Sequence, residues 1–124
     1  MSAVQMDPLA KKHLLKIRRQ MKKIGTYKPE YEAAMRVLAE ALRDYDRAKE
    51  QFEEEGGEYM VEYTNKAGAT NYVKNPLYVV MDDLRKNIIT YCRELGLTPT
   101  GFKKIGGSDE PENDELMHFL RGEK

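Results

Sequence analysis

The chain has 124 residues, 34% of them charged, and its 21 Lys/Arg balance its 21 Asp/Glu to a formal net charge of +0 at pH 7. This length suits one modest domain with tails, and no apolar run reaches the ~20 residues of a membrane span. The single cysteine, Cys92, excludes an internal disulfide, and the start MSAVQMDPLAKKHLL lacks a secretory signal, so a cytoplasmic protein is expected.

The balance hides a strong asymmetry. Residues 1–28 carry +7, residues 29–74 carry −5, residues 75–105 carry +2 and residues 106–124 carry −4. The result is a basic head and an acidic tail.

Asp7-Pro8 reads as an N-cap followed by a first-turn proline, opening a helix to about Ile24. Ala10, Leu14, Ile17, Met21 and Ile24 recur at alternating spacings of four and three, a narrow apolar seam. Lys11, Lys12, Lys16, Arg18, Arg19, Lys22 and Lys23 fall on the other side, over roughly 160° at 100° per residue. Leu15 interrupts them. Such a face can lie against phosphates and displace condensed counterions. It can also meet a membrane surface, or simply keep an amphipathic helix soluble.

Gly25-Thr26 breaks the pattern, and Pro29 opens a second helix to about Glu55, roughly 38 Å long. Tyr31, Met35, Leu38, Leu42, Tyr45 and Phe52 form its stripe, with Ala34, Ala41 and Ala48 alongside. Those small residues would let another helix approach closely. Glu53-Glu54-Glu55 opposes the helix dipole, which predicts fraying before Gly56-Gly57.

Residues 58–74 change period. EYMVEYT and ATNYV are rich in tyrosine and β-branched residues, with turn chemistry at Asn65-Lys66-Ala67-Gly68, which predicts a β-hairpin. Two strands alone are marginal and leave both edges unpaired, so pairing with neighbouring subunits is expected at Tyr59, Val61 and Tyr63.

The next helix has both ends written into the sequence: Asn75-Pro76 at the start, Gly96 and Pro99 after its close. Leu77, Val80, Met81, Leu84, Ile88, Tyr91, Cys92 and Leu95 fall on one apolar arc. Tyr78, Val79 and Ile89 lie outside it and predict a second buried contact, most cheaply supplied by self-association. One further turn is expected over residues 98–105. The stretch GGSDEPEND then reads as a flexible acidic linker. It carries an apolar cluster, Leu116, Met117, Phe119 and Leu120, of the kind that folds onto a partner or back onto its own domain.

No constellation carries catalysis. His13 and His118 lack neighbours at ligand spacing and read as surface residues. Asp82 and Asp83 point about 100° apart, poor geometry for a shared metal. Cys92 reads as a small core residue. Lys103-Lys104 is not part of a phosphate loop. Neither a metal, a cofactor nor an enzymatic activity is expected.

The order of parts is more specific than any one of them. YKPEYEAAMRVLAEAL, a tyrosine-rich hairpin, and KNPLYVVMDDLRKNIITYCRELGLTPTGFKKI together resemble the small subunit of tailed-phage terminases over residues 27–105. Asn75-Pro76 at the helix start and the run Glu94-Leu95-Gly96-Leu97-Thr98-Pro99 at its end are the most telling pieces. Gly101-Phe102-Lys103 departs from the arginine common after Thr-Pro in relatives. The resemblance implies a mainly α, ring-forming oligomer and a non-enzymatic DNA-packaging factor. Two long antiparallel helices joined through the hairpin would make an oligomerisation core, residues 26–105. A basic N-terminal helix, residues 1–25, would engage viral DNA, and the tail, residues 106–124, would contact the large ATPase–nuclease subunit through Leu116, Met117, Phe119 and Leu120. Competing readings are a protein–protein adaptor with a basic docking helix and a small dimeric DNA-binding regulator.

Overall fold

A computed structural model describes residues 5–105. The expected contact segment Leu116, Met117, Phe119 and Leu120, and the acidic linker before it, lie outside the described residues. In chain order come helix α1 (Pro8–Ile24), a 3-10 turn (Pro29–Tyr31), α2 (Glu32–Glu54), strands β1 (Met60–Thr64) and β2 (Thr70–Lys74), α3 (Pro76–Glu94) and the short α4 (Pro99–Lys104). The chain is mainly helical, with a two-stranded antiparallel sheet between helices.

Local chemistry sets the boundaries. The Asp7 carboxylate accepts from the backbone N–H of Leu9 at 3.1 Å and of Ala10 at 3.3 Å, and Gly25 closes α1 at φ 81°. Arg47 on α2 also donates to Asp7, at 2.9 Å, so the cap ties the two helices together. Desolvation pushes the Asp7 carboxyl up, but the Ala10 N–H and the Arg47 guanidinium outweigh it and leave the group below its ordinary value. Pro29 opens a 3-10 turn rather than the second helix itself. At the far end α2 persists through Glu54 despite the glutamate run. Gly56 donates to Glu53 and Gly57 to Phe52, satisfying carbonyls that fraying would have left to water.

Helix α2 is the centre of the fold: α1 and α3 both pack on it. Asp7–Arg47 and Arg18–Glu32 contacts run α1 antiparallel to α2. Phe52 against Tyr78 and Tyr45 against Arg85 do the same for α3. One core results, from Leu14, Ile17 and Met21, then Met35, Leu38, Ala39 and Leu42, then Ile88, Cys92, Leu95 and Leu97. Two sequence expectations fail here. His13, read as a surface residue, is 3% exposed, because the sector of α1 facing α2 is wider than its apolar seam. Val80, read as part of the apolar arc, is 48% exposed, because α2 covers one side of α3, the short α4 packs near its far end at Arg93, and Val80 sits at the arc's edge.

Asn75 joins hairpin to helix. Its Oδ1 accepts from the Leu77 N–H at 3.0 Å, its Nδ2 donates to the Glu58 carbonyl at 3.1 Å, and its backbone N–H donates to Tyr59 at 2.7 Å. At the hairpin tip Asn65 Oδ1 accepts from Ala67 and Ala69, and Gly68 takes φ 87°.

The expected extra turn is α4, capped by Thr98 Oγ1 accepting from the Gly101 N–H at 3.0 Å. Gly101 and Phe102 are buried, and a Cβ on Gly101 would overlap the backbone carbonyl of Arg93. Backbone cannot yield as a side chain can. Gly101→Ala is therefore expected to lift α4 from α3 and expose Phe102, a loss of about 2 kcal/mol from that ring's burial. Urea unfolding at fixed protein concentration measures it, and an unchanged midpoint would show that α4 accommodates the methyl group.

Candidate functional site

The basic face of α1 is built by exclusion. The seam and its flanks, Ala10, His13, Leu14, Ile17, Gln20 and Met21, are buried, which turns the opposite side of the helix outward. Lys11, Lys12, Arg19, Lys22 and Lys23 are exposed there. Lys22 also stands over the Tyr27 ring, 4.9 Å from its centroid. Leu15, at the middle of this face, is 47% exposed.

The seven predicted basic residues are not equivalent. Arg18 sits at the edge facing α2, where its Nη2 donates to Glu32 Oε1 at 2.7 Å. That hydrogen bond holds the guanidinium more strongly protonated than usual. Lys16 is half-buried and takes part in an interaction of its own. The other five project from a surface without acids, since no Asp or Glu occurs between Asp7 and Glu30. Two acids that α2 turns toward α1 are engaged: Glu32 with Arg18, and Asp46 with His13 at 2.8 Å between Oδ2 and Nε2. Nothing in the helical spacing of α1 revealed the His13–Asp46 contact, because Asp46 comes from a different element.

At the other end of the helices is a second surface. Phe52, Tyr59 and Tyr78 form an aromatic cluster, with ring centroids 4.8 Å apart for Tyr59 and Tyr78. Arg85 lies over the Tyr45 and Tyr78 rings and donates from Nε to the Tyr45 hydroxyl at 3.0 Å. The hydrogen bond to Tyr45 raises its already high pKa. Tyr78, predicted to need a partner, thus has ring partners within the chain. Val79 and Ile89 remain exposed. Along the hairpin, Val61 pairs with Val73 and Tyr63 with Asn71, so Tyr59, Val61, Tyr63 and Val73 share one face. Val61 is half-buried, Tyr59 is 64% exposed and Tyr63 is 57% exposed. Among the described residues the sheet has two strands, so each has one edge without a ladder partner there.

Among the described residues, no group of three or more His, Cys, Asp or Glu could hold a metal ion, and no helix is long and apolar enough to cross a membrane. Asp82 is paired with Lys86 at 3.2 Å, and Cys92 is buried. What the arrangement offers is an array of cations for an extended polyanion, together with an exposed tyrosine-rich ribbon.

Two comparisons with known proteins, one against curated proteins and one against solved structures, yield no match. A family model described as "Phage terminase, small subunit" matches residues 10–112.

Proposed function

We propose, from the premise that this chain belongs to the phage terminase small-subunit family, that it is a non-catalytic packaging factor whose α1 engages viral DNA. The family supports a role in phage DNA packaging. The observation that carries the finer reading is the acid-free basic face of α1. Lys11, Lys12, Arg19, Lys22 and Lys23 point outward from a helix whose other side is locked into the core. Phosphate contacts of this kind position a protein on a duplex without reading its sequence.

In the same reading the chain assembles as a ring. The hairpin face of Tyr59, Val61 and Tyr63, with Val79, Ile89 and the outer edge of Tyr78, meets neighbouring subunits. Exposed tyrosines on a ribbon with unpaired edges support that assignment. Leu116, Met117, Phe119 and Leu120 contact the large subunit, and the protein acts in the host cytoplasm.

Light scattering and DNA affinity measured across salt concentrations test the proposal together. A mass of many subunits is expected, with log K falling linearly as log salt rises. A monomer or dimer with a flat salt response would refute it. Full binding to a protein partner with no DNA affinity would instead identify an adaptor.

A further inference from the structure

The position of Ile105 suggests a use for the acidic stretch that follows it in sequence. Ile105 follows α4 directly, and its side chain packs against Gly96, whose immediate surroundings also include the Thr26 methyl group. Thr26 is the residue after Gly25, the C-cap of α1. Ile105, which the acidic stretch follows in sequence, therefore lies beside the end of the basic helix, whose last turn carries Lys22 and Lys23. Its first charged stretch, residues 109–115, holds Asp109, Glu110, Glu112, Asp114 and Glu115 with no Lys or Arg. The apolar cluster begins immediately after, at Leu116.

From these facts we infer that residues 109–120 of this chain dock along the basic face of its own α1. The acidic run would lie over Lys23, Lys22 and Arg19, and the apolar cluster would cover Leu15. Reach permits it. From Thr26 back to Leu15 is roughly 16 Å along a helix, whereas the eleven residues from Ile105 to Leu116 span up to about 36 Å when extended. Charge complementarity favours it over the hairpin as a docking surface, since there Glu58 and Glu62 offset Lys66 and Lys74, whereas the face of α1 carries cations without acids. Leu15 supplies the other half of the match. A large apolar side chain 47% exposed amid lysines contributes little to phosphate binding but is suited to an apolar segment.

The tether makes weak contacts sufficient. A segment joined by a short linker experiences an effective concentration on the order of mM, so even mM intrinsic affinity occupies the face about half the time. The tail then competes with DNA, and the competition weakens as salt screens both interactions. This inference rests on α1 being the DNA face, and it makes the tail an internal substitute for the phosphate backbone.

Two measurements separate its failure from failure of that reading. DNA affinity is compared at low salt for the full chain, for a chain ending at Ile105, and for the full chain with D109N, E110Q, E112Q, D114N and E115Q. Both variants should bind severalfold more tightly, and a peptide of residues 106–124 should weaken binding by the truncated chain. Carbodiimide cross-linking of the full chain, mapped by mass spectrometry, does not depend on DNA. Links from residues 109–115 to Lys22 or Lys23 are expected. Equal DNA affinity in all three proteins overturns the inference, as do cross-links spread evenly over Lys49, Lys66 and Lys86. Absence of DNA binding in every form overturns the DNA reading, and the cross-links then still decide whether the tail docks.

Discussion

A chain carrying K11Q, K12Q, R19Q and K23Q is expected to bind DNA with a slope of log K against log salt that is flatter by about three to four. Each cation that touches a phosphate releases close to one counterion, so removing four withdraws roughly three orders of magnitude of affinity at 0.1 M salt. Geometry singles out these four. Among the described residues none of them has a salt-bridge partner, and all project from the outer side of α1. Glutamine keeps a good helix propensity, so the fold should tolerate the changes within a few tenths of a kcal/mol each. Arg18 differs, because its loss would unpair Glu32 and confuse binding with stability. Circular dichroism checks the fold, and an unchanged salt slope in a folded variant would remove α1 from the DNA interface.

Leu38→Ala is expected to be the most damaging single truncation of the core. Leu38 is 0% exposed on the central helix, within the cluster that joins α1, α2 and α3. Deleting such a side chain costs about 2–5 kcal/mol, against a total stability on the order of 5–15. The neighbouring Val37 is 44% exposed, and Val37→Ala should cost no more than about 0.5 kcal/mol. Urea unfolding of both at one protein concentration, needed because assembly adds to stability, tests the orientation of α2. Equal midpoints for the two variants would show that α2 does not turn Leu38 inward and Val37 outward.

The features legible in the sequence are those set over a few residues. Asp7-Pro8, Asn75-Pro76 and Thr98-Pro99 each place a side-chain acceptor before a proline, and each begins a helix. The hairpin was visible in its change of period and in Asn65 and Gly68 at its tip. The basic face of α1 was legible for the same reason, since 100° per residue needs no partner to calculate.

How many partners a helix receives is not a local property. That α2 lies between α1 and α3 buries Ala39 and His13, leaves Val80 in water and brings Asp46 to His13 and Glu32 to Arg18 on α1. The apolar period of a helix states which side prefers burial, but the width of the buried sector depends on the neighbours that arrive. Arg18 and Lys16 read like Lys11 and Arg19 in the sequence, and tertiary packing separates the engaged pair from the exposed one. By itself the sequence determined the elements, their caps, the uneven charge and the family likeness. Only the tertiary structure decided which cations face outward, because that required α2 to supply the acids and cover the rest. It likewise brought Ile105 back beside the end of α1, through the approach of Thr26 to Gly96, seventy positions apart.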